Sequence, residues 1–451
     1  MKISAGVQSQ KESNFERINA HAAGIDIGSG EHWVCVPAER AKPNVRRFGC
    51  FTPDLIAMAD WLLECQVDTV AMEATGVYWI SLFQILETKG LDVNLVNAHQ
   101  VKTVPGRKSD VLDCQWLQKL HTFGLLSASF RPEDQICVLR SYIRQRDTLI
   151  KETGTHVQRM QKALIQMNLQ LHKVVSDITG LTGMTIIRAM VAGERNPDKL
   201  AALKDKRIQS STEEIAKALS GDYRSEHLFV LQQELELYDV YQQQIVATDG
   251  EIEKCLSQFE SQSENPPPPR KGPNRKKAPG NQPPFNLHRH LFRISGVDFT
   301  QIAGLNVLTV QTILSEVGLD PTRFPSVKHF CSWLGLCPGS RITGGKVKSS
   351  QTRKVVNRAS NAFRIAAQSL SRSRSALGAF YRRLRSRLGA PKAITAAAHK
   401  LARMFYRLWT TRQAYSDPGA DYYEQQYRER MVHNLKKKAT SLGFELVAQS
   451  Q

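Results

Sequence analysis

Near residue 138 the spacing of apolar side chains changes period, and one uniform architecture cannot serve both sides of that change. From residue 22 to about 130, apolar runs of strand length alternate with runs of helical spacing. Gly24 to Gly28 and His32 to Val36 read as a strand pair, and Val67 to Met72 and Leu91 to Asn97 as further strands. Leu55 to Leu63 and Val77 to Leu86 read as helices. Such alternation predicts an α/β domain with a partly parallel sheet.

Beyond 138 the steps are threes and fours. One seam runs Leu139, Tyr142, Arg146, Leu149, Thr153, Val157, Met160, Leu164, Met167, Leu171, Val174. A second runs Leu228, Leu231, Leu235, Tyr238, Gln242, Ile245, Asp249, Ile252, Leu256, Phe259. Both approach the heptad spacing of packed long helices. Arg146, Thr153, Gln242 and Asp249 interrupt them. Two helices of similar length predict an antiparallel pair, acting as a spacer or recruiting a second protomer.

The remainder divides by composition. Residues 1–21 are polar and are expected to be disordered, and residues 261–285 form a basic, proline-rich linker with no apolar face. The expected boundaries are an α/β domain over 22–135, a helical spacer over 136–260, a compact helical domain over 286–412 and a tail over 413–451. Within the tail, Tyr422 to Lys438 has the character of a terminal helix.

Acids stand where these elements begin and end. Asp26 lies in Gly24-Ile25-Asp26-Ile27-Gly28, and Glu73 closes the apolar run before Ala74-Thr75-Gly76. Asp110 and Asp113 open a helical run, three apart and therefore on one face. Ligand sites in open α/β sheets lie at the carboxyl ends of strands. Four carboxylates gathered there repel one another unless a cation neutralises them. Hard divalent ions such as Mg²⁺ prefer such oxygen donors, and a pair of them clamps a phosphodiester. Each acid alone also fits a surface charge, and Asp110 fits a helix N-cap.

The chain carries a net charge of +19, concentrated in its last third, which points to a polyanionic partner. No apolar run is long enough to span a membrane. The N-terminal residues lack the apolar core of a signal peptide. Eight cysteines without a Cys-x-x-Cys pair fit reduced thiols of a cytoplasmic protein better than zinc ligands.

A short motif recurs. Ile178-Thr179-Gly180-Leu181 to Ile187 is matched by Ile302-Ala303-Gly304-Leu305 to Gln311. A glycine turn before a free helix N-terminus suits backbone contacts to phosphate, and equally a helix-capping turn used twice. Further on, Trp333-Leu334-Gly335-Leu336-Cys337-Pro338 leads into Gly339-Ser340-Arg341-Ile342-Thr343-Gly344-Gly345-Lys346. A glycine-rich loop with hydroxyls and bases can present a nucleophile beside N–H donors. It is followed by Lys348, Ser349, Ser350, Arg353, Lys354, Arg358, Arg364, Arg382, Arg383 and Arg385, a density suited to phosphate backbones.

Together, Gly-Ile-Asp-Ile-Gly, Glu-Ala-Thr-Gly-Val-Tyr, Asn97-Ala98, Lys108-Ser109-Asp110-Val111-Leu112-Asp113 and the Trp-Leu-Gly-Leu-x-Pro segment resemble the IS110-family transposases, in particular the IS1111-like group. The resemblance covers about residues 22 to 410. It implies an RNase H/RuvC-like DEDD domain, a long antiparallel coiled coil and a helical transposase domain. It implies Asp26, Glu73, Asp110 and Asp113 as catalytic Mg²⁺ ligands. It implies Lys108, Gly304, Arg341, Lys346 and the later bases as nucleic-acid contacts. The family's serine nucleophile falls at Thr343, a departure that leaves Ser340, Ser349 and Ser350 as alternatives. Partners implied are element-end and target DNA, a structured noncoding guide RNA and a homo-oligomer, dimer or tetramer, in the bacterial cytoplasm at the nucleoid. Two other readings stay open: a metal-dependent junction resolvase, and a catalytically silent nucleic-acid-binding protein.

Overall fold

A computed structural model describes residues 16–97, 109–263, 267, 281–353 and 355–447. Most of the polar N-terminus, most of the proline-rich linker, Ala98, Lys108 and Lys354 therefore lie outside the described residues. The chain forms two compact units, Met1–Arg131 and Pro132–Gln451.

In the first unit, five strands form one mixed sheet in the order β3-β2-β1-β4-β5. They are β1 (Ala22–Ile27), β2 (Glu31–Cys35), β3 (Val45–Gly49), β4 (Thr69–Glu73) and β5 (Asp92–Val96). β1 to β3 form an antiparallel meander, whereas β4 and β5 run parallel to β1. That is the architecture of an RNase H/RuvC-like domain. The parallel pairs need helical crossovers, supplied by α1 (Thr52–Glu64) and α2 (Trp79–Thr88).

Alternation along β1 sorts the two faces. Ala23, Ile25 and Ile27 join Val34, Val70, Met72, Leu62 of α1 and Leu82 of α2 in one apolar core. Ala22, Gly24 and Asp26 point the other way, toward α3 (Asp110–Thr122), which lies chiefly across β1. Gly24 makes this possible. A Cβ built there would stand 2.3 Å from the backbone nitrogen of Gln118 and 2.4 Å from the carbonyl oxygen of Cys114. The far end of the helix is tied down by Gln118 Nε2 donating to the Ala22 carbonyl (3.3 Å) and by His121 Nε2 against Thr69 Oγ1 (2.9 Å).

The second unit begins with α4 (Asp134–Gln166), 33 residues long. It packs along its length against α8 (Ser225–Gln258), of 34 residues. Arg146 pairs with Asp249, and His156 Nδ1 with Glu234 Oε2 (2.6 Å), so the helices are antiparallel. The polar interruptions of the seams thereby find partners: Arg146 and Asp249 are both buried and bridged to each other. The buried stripe differs in detail from the sequence reading, with Ile143 and His156 inward. The helix ends at Gln166 because the chain turns at Asn168, which has φ 56°. Leu171 and Val174 consequently belong to a separate short turn. Between the long helices, α5 (Leu181–Val191), α6 (Pro197–Ala202) and α7 (Thr212–Ala218) cover one end of the pair around Met160, Ile186, Leu200 and Leu231.

The C-terminal helices are α9 (Leu287–Ser295), α10 (Val307–Val317) and α11 (Val327–Trp333), then α12 (Arg358–Ser369), α13 (Ala376–Leu388), α14 (Ala390–Thr411) and α15 (Gly419–Ser441). Their core is aromatic. Phe299, Phe330, Phe363 and Phe405 are fully buried, and the rings of Phe299 and Phe405 stack at 4.0 Å. Arg144 of α4 donates to both carboxylate oxygens of Glu316 at the end of α10, each at 2.9 Å. Between α11 and α12 a two-stranded ribbon projects, β6 (Arg341–Thr343) and β7 (Lys346–Ser349).

Candidate active site

Asp26 is the half-buried penultimate residue of β1, two places beyond Gly24 and on the same face. Glu73 is the last residue of β4. The pairing of Ile25 with Met72 places the next two residues, Asp26 and Glu73, side by side on adjacent strands. A sharp turn follows Glu73. Thr75 Oγ1 donates back to Glu73 Oε1 (3.3 Å), and Gly76 takes φ 55°. The helix α3 starts at this same edge of the sheet. Its N-cap is Ser109, whose Oγ accepts from the Leu112 N–H at 3.3 Å, so Asp110 is free of capping duty. Asp110 and Asp113 occupy the first turn.

The electrostatics of Asp26 tie the four acids together. Its pKa is pushed up from 3.8 to about 6, first by burial, then by the charges of Asp113, Asp110 and Glu73. Among the described residues, no cation is one of the causes. Like charges around a half-buried carboxyl raise its affinity for a proton, and equally for a metal ion. The donor set is all oxygen, which suits Mg²⁺ and not a soft ion. Among the described residues, no three His, Cys, Asp or Glu side chains stand close enough to form a coordination set as they are placed. The residues thus fit a hard divalent ion in chemistry and charge, with the side chains standing apart.

Behind Asp26, the thiols of Cys35 and Cys114 lie against each other, Cys35 Sγ donating to the Val36 carbonyl (3.5 Å) and Cys114 Sγ to the Val111 carbonyl (3.1 Å). Both are buried. Cys35 is the register partner of Gly24, so this contact anchors the middle of α3 on β2. Nothing in the spacing of the cysteines signalled it. The role of Gly24 had a signal: a glycine two residues before an acid in an otherwise apolar strand marks a close backbone approach.

The glycine–hydroxyl loop of the second unit is a β-hairpin. Gly344 and Gly345 form its two-residue turn with φ 58° and 72°, the left-handed conformation that such turns require at both positions. Thr343 stands at the tip, exposed, directly across from Lys346. Ser340, Ser349 and Ser350 lie toward the base, where Pro338 bridges Thr352 and the Gly339 N–H reaches the Gln351 carbonyl at 2.9 Å. Ser349 Oγ is engaged there by the Gln351 N–H at 3.3 Å.

The basic residues separate into two groups. Arg341, Lys346, Lys348 and Arg385 are exposed. Others bond within the unit: Arg353 to the Ser332 carbonyl (2.6 Å), Arg358 to Asp147 (3.1 Å), Arg364 to Thr395 Oγ1 (2.9 Å), and Arg382 to the Ser373 carbonyl (2.5 Å). Arg383 is paired with Glu424 and lies 3.7 Å over the ring of Tyr427, which fastens α15 to α13. Gly304, with φ 95°, sits 2.9 Å from the Ala366 carbonyl as measured from a built Cβ, so packing on α12 by itself requires its missing side chain. Among the described residues no helix is long and apolar enough to cross a membrane.

An RNase H/RuvC-like domain with acids at the sheet edge, followed by a basic helical domain, fits the class of proteins that act on nucleic acids. A family model described as a transposase, that of the DEDD transposase of IS110, matches residues 23–169, and one described as "Transposase IS116/IS110/IS902 family" matches residues 298–382. The chain belongs to the IS110 family of transposases. No curated protein matches it.

Proposed function

We propose that the chain cleaves and rejoins DNA at the ends of an insertion sequence through a carboxylate-assisted attack by a protein hydroxyl. The observation that carries this is the raised pKa of Asp26, caused first by burial and then by the charges of Asp113, Asp110 and Glu73 from two other elements. A structural acid is normally given a counter-charge, and this one is given three further acids. Asp26, Glu73, Asp110 and Asp113 would hold Mg²⁺, which supplies Lewis-acid polarisation of the scissile phosphate.

Thr343 is the favoured nucleophile. It is presented at a ribbon tip beside the ammonium of Lys346, with the Gly344 and Gly345 amides next in the chain. A bond forms from Thr343 Oγ to phosphorus as the bond to one deoxyribose oxygen breaks. The hydroxyl proton leaves to the medium and the departing oxygen takes one up. Reversal with a different strand end rejoins the DNA without net hydrolysis. Threonine retains the hydroxyl of serine with a stiffer rotamer choice. The exposed bases Arg341, Lys346, Lys348 and Arg385 neutralise phosphates, and Lys108 and Lys354 belong to the same proposal. A noncoding RNA guide and a homo-oligomer joining one subunit's acids to another's hydroxyl complete the reading by family analogy.

The test is to incubate the full chain with Mg²⁺, element-end DNA and the flanking noncoding RNA, denature, and map any DNA-bearing peptide. DNA on Thr343 supports the proposal. DNA on Ser340, Ser349 or Ser350 moves the nucleophile to the base of the ribbon. Free nicked ends without an adduct support the junction-resolvase reading, and binding without strand breakage supports a silent binding protein.

A further inference from the structure

The strand register places two more side chains in line with the carboxylates. Asp26 of β1 is paired with Trp33 of β2, and Trp33 with Arg47 of β3. Directly paired residues project to the same face of a sheet. One transverse row therefore reads Arg47, Trp33, Asp26, Glu73. Two independent contacts fix the face. Glu31 accepts from Trp33 Nε1 through one oxygen (3.2 Å) and from Arg47 Nη1 through the other (3.2 Å), so all three share a side. The adjacent Arg46 goes to the opposite side, its guanidinium 4.8 Å over the ring of Trp61.

We propose that Trp33 and Arg47 form a nucleotide platform beside the acids: the indole stacks a base of the DNA strand being cut, and the guanidinium takes a phosphate of that strand. This rests on the reading of the four acids as the cleavage site. Neighbouring strands lie about 4.8 Å apart. Trp33 is one strand from Asp26 and Arg47 two, or about 10 Å. A strand whose scissile phosphate lies over Asp26 and Glu73 runs across Trp33 within one or two nucleotides. The chemistry suits that occupant. Stacking on an aromatic face is available to any base, and a cation takes a phosphate whatever the sequence. A site rich in carboxylates repels a polyanion, so a cation at the end of the row has a positioning role that a neutral residue would lack. Arg47 remains available despite its bond to Glu31. Its side chain is 63% exposed, and exchange of an exposed ion pair for a phosphate costs little. Trp33 is half-buried, held at one end by Glu31, in a way that a freely solvated side chain is not. A stacking surface already ordered loses little entropy on binding.

The experiment uses the full chain carrying Asp26→Asn, to block cleavage, with element-end DNA bearing single 5-iodouracil substitutions on either side of the cut. Irradiation and peptide mapping should place crosslinks on Trp33 from only one or two adjacent positions. Trp33→Ala should weaken binding about tenfold, and Trp33→Phe should restore most of it. Arg47→Gln should reduce the slope of log affinity against log salt by about one, and Arg46→Gln should leave it unchanged. Crosslinks on other residues of the first unit, none on Trp33, and unaltered binding by Trp33→Ala and Arg47→Gln would overturn the platform and leave the acid site standing. Crosslinks confined to the second unit would overturn both.

Discussion

Replacing Asp26 by asparagine should abolish cleavage and at the same time make the protein more stable at neutral pH. The second effect follows from the sign of its pKa shift. In the unfolded chain the group titrates near 3.8, in the folded chain near 6. The folded state thus holds its proton more tightly, and ionisation opposes folding. The penalty is absent below about pH 4, grows between 4 and 6, and is complete above 6. A shift of roughly two units corresponds to about 3 kcal/mol. Asp26 is only half-buried, so solvent screening reduces this to about 1.5 kcal/mol. Asparagine keeps the shape and removes the charge. For a domain of this size the gain amounts to roughly 5 °C in unfolding temperature. The assay is thermal unfolding of the full wild-type and Asp26→Asn chains at pH 4.0 and 7.5 without divalent ions. The variant should be the more stable at pH 7.5 and nearly equal at pH 4.0. A difference independent of pH, or a variant less stable at pH 7.5, would refute the raised pKa that burial and then Asp113, Asp110 and Glu73 give Asp26.

Magnesium at millimolar concentration should raise the unfolding temperature of the wild type at pH 7.5 and leave that of Asp26→Asn nearly unmoved, since an ion that binds only the folded state stabilises it by mass action. Gly24→Ala should destabilise the first unit by about 2 kcal/mol or more, because its Cβ meets backbone rather than a yielding side chain; cleavage should fall with it, and a calorimetric scan unchanged from wild type would contradict the packing described. Thr343→Ala should remove the covalent DNA adduct and Thr343→Ser restore it, as read on denaturing gels. Removing one partner of the buried bridge, Asp249→Ala, should cost about 4 kcal/mol, whereas replacing both partners by apolar residues of similar volume should be close to neutral; denaturant unfolding of the single and double variants decides this.

Four strands of the sheet were legible because their signals are local, whereas β3, with Arg46 and Arg47 at its centre in place of an apolar run, was not. Short apolar runs ending at Asp26 and Glu73 are strands, and the helices between them have the period of their own cores. The long helices were legible as seams, but their polar breaks were not legible as partners. Arg146 and Asp249 stand far apart in sequence, and only the antiparallel packing of α4 on α8 shows that each neutralises the other. The same limit applies to Ser109. Its capping bond is local, yet the cap reads equally well onto Asp110 until the backbone settles which residue is extended. Arg383 reads as one more cation of a phosphate-binding face until α15 is seen to claim it through Glu424 and Tyr427. Charge density in a sequence counts cations without saying which are already engaged.

The hairpin adds a constraint on how a hydroxyl can serve as nucleophile in this fold. Thr343 is exposed at the tip of a ribbon, and Ile342 and Val347 beside it are also exposed. An isolated two-stranded ribbon is marginally stable in water, so its tip acquires a fixed position only against another surface. Exposed apolar side chains flanking an exposed hydroxyl fit a tip that becomes ordered when it meets DNA. That arrangement separates binding from chemistry. Ile342→Ser should leave the thermal stability of the free protein unchanged, because that side chain is largely exposed, yet slow adduct formation at saturating DNA by reducing the fraction of correctly docked tips. Loss of DNA affinity without any change in the saturated rate would show instead that the ribbon is a binding arm and that its order does not limit the reaction.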